Sequence, residues 1–123
     1  MTNLIQEVYN SYTEALLATS YDDEGTDLTT HTLSDFTKLQ IRRDITQLIQ
    51  LADVFVPNWR KYWSPAQLGH DFLLTRNHHG AGFWDRAPTG DKRHDRTGQK
   101  LTAIARTFGE QDAYLGDDGL IHV

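Results

Sequence analysis

Residues 64–86 read S-P-A-Q-L-G-H-D-F-L-L-T-R-N-H-H-G-A-G-F-W-D-R, and a change of character after Arg76 divides them. Ser64 followed by Pro65 is a helix start: the hydroxyl caps a free backbone N–H, and proline at the first helical position removes a donor that has no partner there. The spacing predicts a helix from Pro65 to about Arg76, with Leu68, Phe72 and either Leu74 or Thr75 facing inward. Gly69 lets another element approach closely, at some cost in helix stability. His70 and Asp71 fall on neighbouring faces, so the spacing does not oblige them to act together. After Arg76 the chain turns to Gly, Pro and charge, which predicts a loop over Asn77–Asp95. A short strand at Ala81–Trp84 would anchor its first half, and the second half is expected to be mobile.

Working outward, Leu4, Ile5, Val8, Tyr12, Ala15, Leu16 and Leu17 recur at helical intervals and predict a first helix over Leu4–Ala18. Tyr21–Asp27 holds four acids without the spacing of a calcium loop and reads as a solvated surface loop. Thr32 or Ser34 caps a second and longest helix, with Phe36, Leu39, Ile45, Leu48, Ile49, Ala52 and Phe55 along its inner side, ended by Pro57. On that helix Arg42, Arg43 and Asp44 read as an ordinary solvated face. Trp59, Tyr62 and Trp63, beside Arg60 and Lys61, either plug the edge of a core or form a stacking platform for bases. A fourth helix is predicted over Thr97–Phe108, closed by Gly109, and Gly116-Asp117-Asp118-Gly119 predicts a tight hairpin.

The fold class expected is therefore α+β, mostly helical, with about four helices and a small C-terminal antiparallel hairpin. Helices two, three and four would pack together, and the hairpin, joined by residues 80–84, would cover one side. At 123 residues the whole chain, 1–123, is expected to be a single domain.

Composition removes several functions. A net charge of −5 argues against a general phosphate-backbone binder, although Arg86, Lys92, Arg93, Arg96 and Lys100 are clustered and leave room for a small anionic ligand. With no cysteine, thiol nucleophiles, disulfides and zinc thiolates are excluded. The N-terminus resembles neither a signal peptide nor a membrane span, so a soluble cytoplasmic protein with no membrane partner is expected.

Leu68–Arg86 is the stretch densest in chemistry, with three histidines, two arginines and two aspartates in nineteen residues. His70, Asp71, His78, His79, Asp85 and His94 are metal-ligand types without ligand spacing, so no metal and no cofactor are expected. No nucleophile motif is present, and catalytic residues are left unassigned. Ligand binding asks less: Arg76 and Arg86 offer bidentate contacts, Gly80 and Gly82 let backbone N–H groups approach an anion, and Trp84 can stack. The candidate set is Arg76, Asn77, His78, His79, Gly80, Gly82, Trp84, Asp85 and Arg86. The alternative is structural: an Arg76–Asp85 pair, turn glycines, and Phe83 and Trp84 in the core. The negative end of the third helix's dipole lies at this site and works against an anion there.

The segments G-H-D-F-L-L-T-R-N-H-H-G-A-G-F-W-D-R, L-T-A-I-A-R-T-F-G and Y-L-G-D-D-G-L-I resemble those of a widespread group of small bacteriophage and prophage proteins. The likeness covers roughly the C-terminal half, and Leu73 stands where sequences of this type often carry Trp. The resemblance implies a phage accessory protein in the infected host's cytoplasm and supplies no reaction. Its partner would be a host protein or a nucleotide-like small molecule that it sequesters. A small hydrolase or transferase using a histidine of residues 70–86 on a phosphate-containing substrate is the alternative, and a single-strand nucleic-acid binder is a third reading.

Overall fold

In the computed structural model, which describes residues 3–20, 25, 27–79, 82–83 and 90–123, the predicted start of the central helix forms as read. Ser64 Oγ accepts from the Gln67 N–H at 3.1 Å, and Pro65 opens α3 (Pro65–Arg76). Three further helices surround it: α1 (Leu4–Thr19), α2 (Asp35–Phe55) and α4 (Lys92–Arg106). Asn3, Ser34 and Asp91 cap their N-termini through side-chain oxygens. Two short 3-10 turns, Leu28–Thr30 and Trp59–Lys61, flank α2. Asp27 caps the first, and the two Thr29 hydrogen bonds it accepts hold its carboxyl below the usual carboxylate range. The remainder of the predicted acidic loop, apart from Gly25 and Asp27, lies outside the described residues.

The packing differs from the expected arrangement in that α1, not α2, is the principal neighbour of α3. Gly69 is the reason. A Cβ there would overlap the Val8 carbonyl oxygen and Ser11 Oγ, so the two backbones meet where only glycine fits. Around this contact Val8, Tyr12, Leu16, Leu68, Phe72 and Leu73 are fully buried. Phe72 meets Tyr12 on one side and Phe108 on the other, at ring-centre distances of 5.4 and 5.0 Å. Leu73 is thus a core residue and not part of a surface.

On α2 the inward face is Thr37, Ile41, Ile45, Leu48, Ile49 and Ala52. Ile45, Leu48, Ile49 and Ala52 lie where expected, but Phe36, Leu39 and Phe55 are 68, 66 and 62% exposed. The buried stripe runs through 37, 41, 45, 48 and 52; Phe36 and Leu39 fall off it, whereas Phe55 continues it and is exposed as the last residue of the helix. Trp59 and Trp63 resolve to the core: both are buried, and their indole N–H groups donate to Asp53 and Asp71.

The C-terminal hairpin forms as predicted, with β1 (Tyr114–Leu115) antiparallel to β2 (Ile121–His122). Asp118 steadies the turn by accepting from the Leu120 N–H and the His122 ring, contacts that lower its pKa. What joins the hairpin is not residues 80–84. Leu33 bridges Ile121 in parallel, with Ile121 N–H donating to Thr32 O and Ser34 N–H to Ile121 O. Gly82 and Phe83 are not in a strand, and Ala81 and Trp84 lie outside the described residues. The predicted loop to Asp95 is also shorter: α4 begins at Lys92, because Asp91 accepts from the N–H groups of Arg93 and His94 and nucleates two polar turns before Thr97.

Gly69→Ala is expected to lower the urea midpoint. Crowding against α1 costs roughly 1–3 kcal/mol, more than the roughly 1 kcal/mol of helix propensity that alanine contributes.

Candidate functional site

Arg76, the arginine of the densest stretch that lies among the described residues, is not presented to solvent. Arg76, in the last turn of α3, is 4% exposed, and its guanidinium is consumed by internal partners. Nε donates to Gly109 O at 2.8 Å and Nη2 to Phe108 O at 3.2 Å, while Nη1 meets Asp44 Oδ2 at 2.9 Å and the Tyr12 hydroxyl at 3.2 Å. The expected bidentate ligand contact is therefore corrected: Arg76 binds the end of α4, α2 and α1. Its acidic partner is Asp44, which the sequence places on a solvated face. Asp85, the partner expected, lies outside the described residues, as do Gly80, Trp84 and Arg86.

Tyr12 belongs to the same cluster, also donating to the Gln111 side chain. Burial pushes its phenol up to about 12, against the nearby Arg76 charge and hydrogen bond, which pull it down. Asn77 is likewise occupied, clasping the Gln111 backbone with its amide as donor at 2.9 Å and acceptor at 2.7 Å.

His78 and His79 end the helix. The His78 N–H donates to Thr75 O and the His79 N–H to Leu74 O, the pair of bonds that closes a helix through a left-handed residue. His78 takes that conformation, with φ 58°, a position that favours glycine. Both histidines are exposed, beside the carbonyl end of α3, where a cation is favoured over an anion. Consistent with that, His78 Nε2 lies 3.8 Å from Glu110. Gly82 is a packing glycine: a Cβ would overlap Thr75 Oγ1, the hydroxyl that accepts the Phe83 N–H. Phe83 is fully buried against the edge of Trp63.

His70 and Asp71 do interact, a point the spacing left open. His70 Nδ1 lies 3.2 Å from Oδ1 of Asp71, a fully buried carboxylate that also accepts from Trp63 Nε1 at 2.9 Å and Gln67 Nε2 at 2.8 Å. A carboxylate behind one ring nitrogen leaves the other as the hydrogen-bond acceptor. The half-exposed ring borders a groove of about 600 Å³ between α1 and α3, with Glu14, Ser11 and Gln67 but no Lys or Arg among its lining residues. It can move a proton; it has no cation to hold a phosphate.

The cations lie elsewhere. Arg93, Arg96 and Lys100, at helical spacing on one face of α4, line a pocket of about 270 Å³ with Val56, Pro57, Asn58 and Tyr62 from the chain that follows α2. Among the described residues, none of the three makes an ion pair. Arg93 lies in the first turn of α4, where the helix dipole adds to its positive potential, and Arg96 and Lys100 follow it along the same face. The sequence shows these charges as a cluster, with Arg93 in the predicted loop and Arg96 just ahead of the predicted fourth helix. A carboxylate cap at Asp91 followed by cations at i, i+3 and i+7 was the signal available.

Among the described residues, no three His, Cys, Asp or Glu side chains converge to hold a metal ion, and no helix is long and apolar enough to cross a membrane. Compared with known proteins, the chain matches no family model, no curated protein and no solved structure.

Removing one partner of a buried pair leaves the other charge uncompensated, so Arg76→Ala should cost about 3–5 kcal/mol in chemical denaturation. His79→Ala, on the surface, should stay within about 0.5 kcal/mol of the parent.

The Tyr12 phenol makes stability fall at high pH. Its folded pKa of about 12 lies above the ordinary tyrosine value of about 10, so between these pH values the unfolded chain releases a proton that the folded chain keeps. The stability present below that window is lost through it, by about 1.4 kcal/mol per unit separating the two pKa values. Denaturation midpoints measured across the window should drop for the parent and drop less for Tyr12→Phe.

Proposed function

We propose that the chain is a binding protein that sequesters a small phosphate-bearing, nucleotide-like ligand in the Tyr62, Arg93, Arg96 and Lys100 pocket. In this reading it acts as a phage accessory protein in the cytoplasm of the infected host. The observation that carries the binding reading is the set of three cations, without acidic partners among the described residues, around one pocket that also presents an aromatic ring. Guanidinium groups suit phosphate oxygens because they donate in parallel pairs, and Tyr62 with Val56 and Pro57 supplies an apolar wall for a ring or sugar. The pocket suits a discrete anion better than a polymer, since the net charge of −5 opposes a nucleic-acid backbone away from it. The phage setting rests on the resemblance of the G-H-D-F to F-W-D-R and G-D-D-G segments.

The rival phosphate hydrolase or transferase draws support from His70, whose contact with Asp71 resembles that of a general base. It is weakened by distance in the fold: His70 borders the α1–α3 groove, whereas the cations line the pocket beside α4. The single-strand reading loses its platform, because Trp59 and Trp63 are buried.

Titration calorimetry with nucleoside phosphates and inorganic phosphate tests this assignment. The parent should bind at least one of them, and Arg96→Glu should weaken binding at least about tenfold, the equivalent of a lost charge-assisted hydrogen bond. Its unfolding midpoint should be unchanged, since Arg96 is exposed. Ligand recovered chemically altered would favour the hydrolase. No binding by the parent, or equal binding by the variant, would remove the pocket from consideration.

A further inference from the structure

The side chains that line the α1–α3 groove have spent nearly all their hydrogen-bond donors internally and keep their acceptors. Asp71 is one cause. A buried carboxylate only accepts, so Gln67 Nε2 and His70 Nδ1 turn towards it, at 2.8 and 3.2 Å. The Gln67 amide oxygen and His70 Nε2 are left on the side away from it, and both side chains border the groove. Helix α1 is the other cause. A hydroxyl has a single hydrogen, and Ser11 Oγ gives its own to Val8 O at 3.1 Å, Thr19 Oγ1 to Ala15 O at 2.8 Å. Only lone pairs remain for the groove. Glu14 stands between these two on the same face, exposed, and makes no ion pair among the described residues. Ala15, Ala18 and Ala66 complete the wall with methyl groups.

We propose that this groove is a second ligand site, separate from the cation pocket, and that it takes a primary alkylammonium ion. An ammonium has three N–H donors and no acceptor, the complement of a surface that offers acceptors and almost no donors. The Glu14 carboxylate adds a charge-assisted bond, and the methylene chain lies along the alanines. The ammonium belongs at the His70 end. Ser11 Oγ lies against Gly69, the residue before His70, so the serine and histidine acceptors are neighbours. Ser64, which accepts from the Gln67 N–H and keeps its hydroxyl hydrogen, marks the opposite end. There the positive end of the α3 dipole disfavours a cation, but it fades beyond the first turn, and His70 lies about 9 Å further along the helix. A phosphate or carboxylate ligand meets Glu14 and no cation. A metal ion lacks a ligand set, since among the described residues no three His, Asp or Glu side chains converge. The volume of about 600 Å³ suits a small molecule.

An NMR titration of the amide resonances with n-butylammonium chloride is the test. Resonances of residues 11–19 and 66–70 should shift and saturate, while those of residues 93–100 stay in place. n-Butyltrimethylammonium has the same charge and chain but no N–H, and it should bind at least about tenfold more weakly, because the donors are what the groove recognises. Glu14→Gln should also weaken n-butylammonium at least about tenfold, with unchanged circular dichroism, since the side chain is exposed. His70→Phe, which keeps a ring and removes its acceptor, should weaken it as well. Absence of saturable shifts in the parent, equal binding of the trimethylated ion, or full binding by both variants would each overturn the proposal. Zinc chloride shifting the same resonances at lower concentration than the amine would overturn it in favour of a metal site.

Discussion

One buried guanidinium holds four parts of the molecule together. Arg76 sits at the end of α3, yet its partners are a hydroxyl of α1, a carboxylate of α2 and two carbonyl oxygens just after α4. A guanidinium taken out of water is tolerable only if its donors are satisfied, and that requirement ties α1, α2 and the chain after α4 to the end of α3. The chain after α4 must pass within reach for Phe108 and Gly109 to present their carbonyls. Gln111 then closes the cluster by accepting from Tyr12 and exchanging hydrogen bonds with Asn77.

A second polar anchor lies midway along α3, where Asp71 gathers the N–H groups of Trp63, Gln67 and His70. From Leu68 to Arg76 every position of the helix but His70 is buried, which glycine at position 69 permits by letting α1 lie directly on it. Among the described residues no buried side-chain nitrogen or oxygen lacks a partner. The stretch densest in chemistry is in good part this scaffold: Gly69, Asp71, Phe72, Thr75, Arg76, Asn77, Gly82 and Phe83 each pack or bond internally.

That division of labour separates chemistry from cohesion. Polar groups engaged by the scaffold cannot also hold a ligand without unmaking the fold. The cations of α4 are among the groups the scaffold leaves over, and Arg93 stands in the first turn, where the helix dipole raises positive potential. The histidines at the end of α3 stand in the opposite field, beside carbonyl oxygens. The two ends thus discriminate between an anion and a cation by backbone direction alone.

The sequence by itself determined where most elements begin and turn. Ser34 and Ser64–Pro65 start helices, and Gly116–Gly119 turns a hairpin, because caps and turns are made by side chains within a few residues of the backbone they bond. It misplaced the start of α4, where Asp91 caps a pair of turns with no apolar period to reveal them. Only the tertiary structure decided which face of α2 is buried, since Phe36 and Leu39 are as apolar as Ile41 and Ile45 and the choice depends on what the fold brings opposite. Only it, too, distinguished Arg76 from Arg93 and Arg96. Whether an arginine is structure or site depends on its pairing and desolvation, and the partners of Arg76 come from segments remote in the chain.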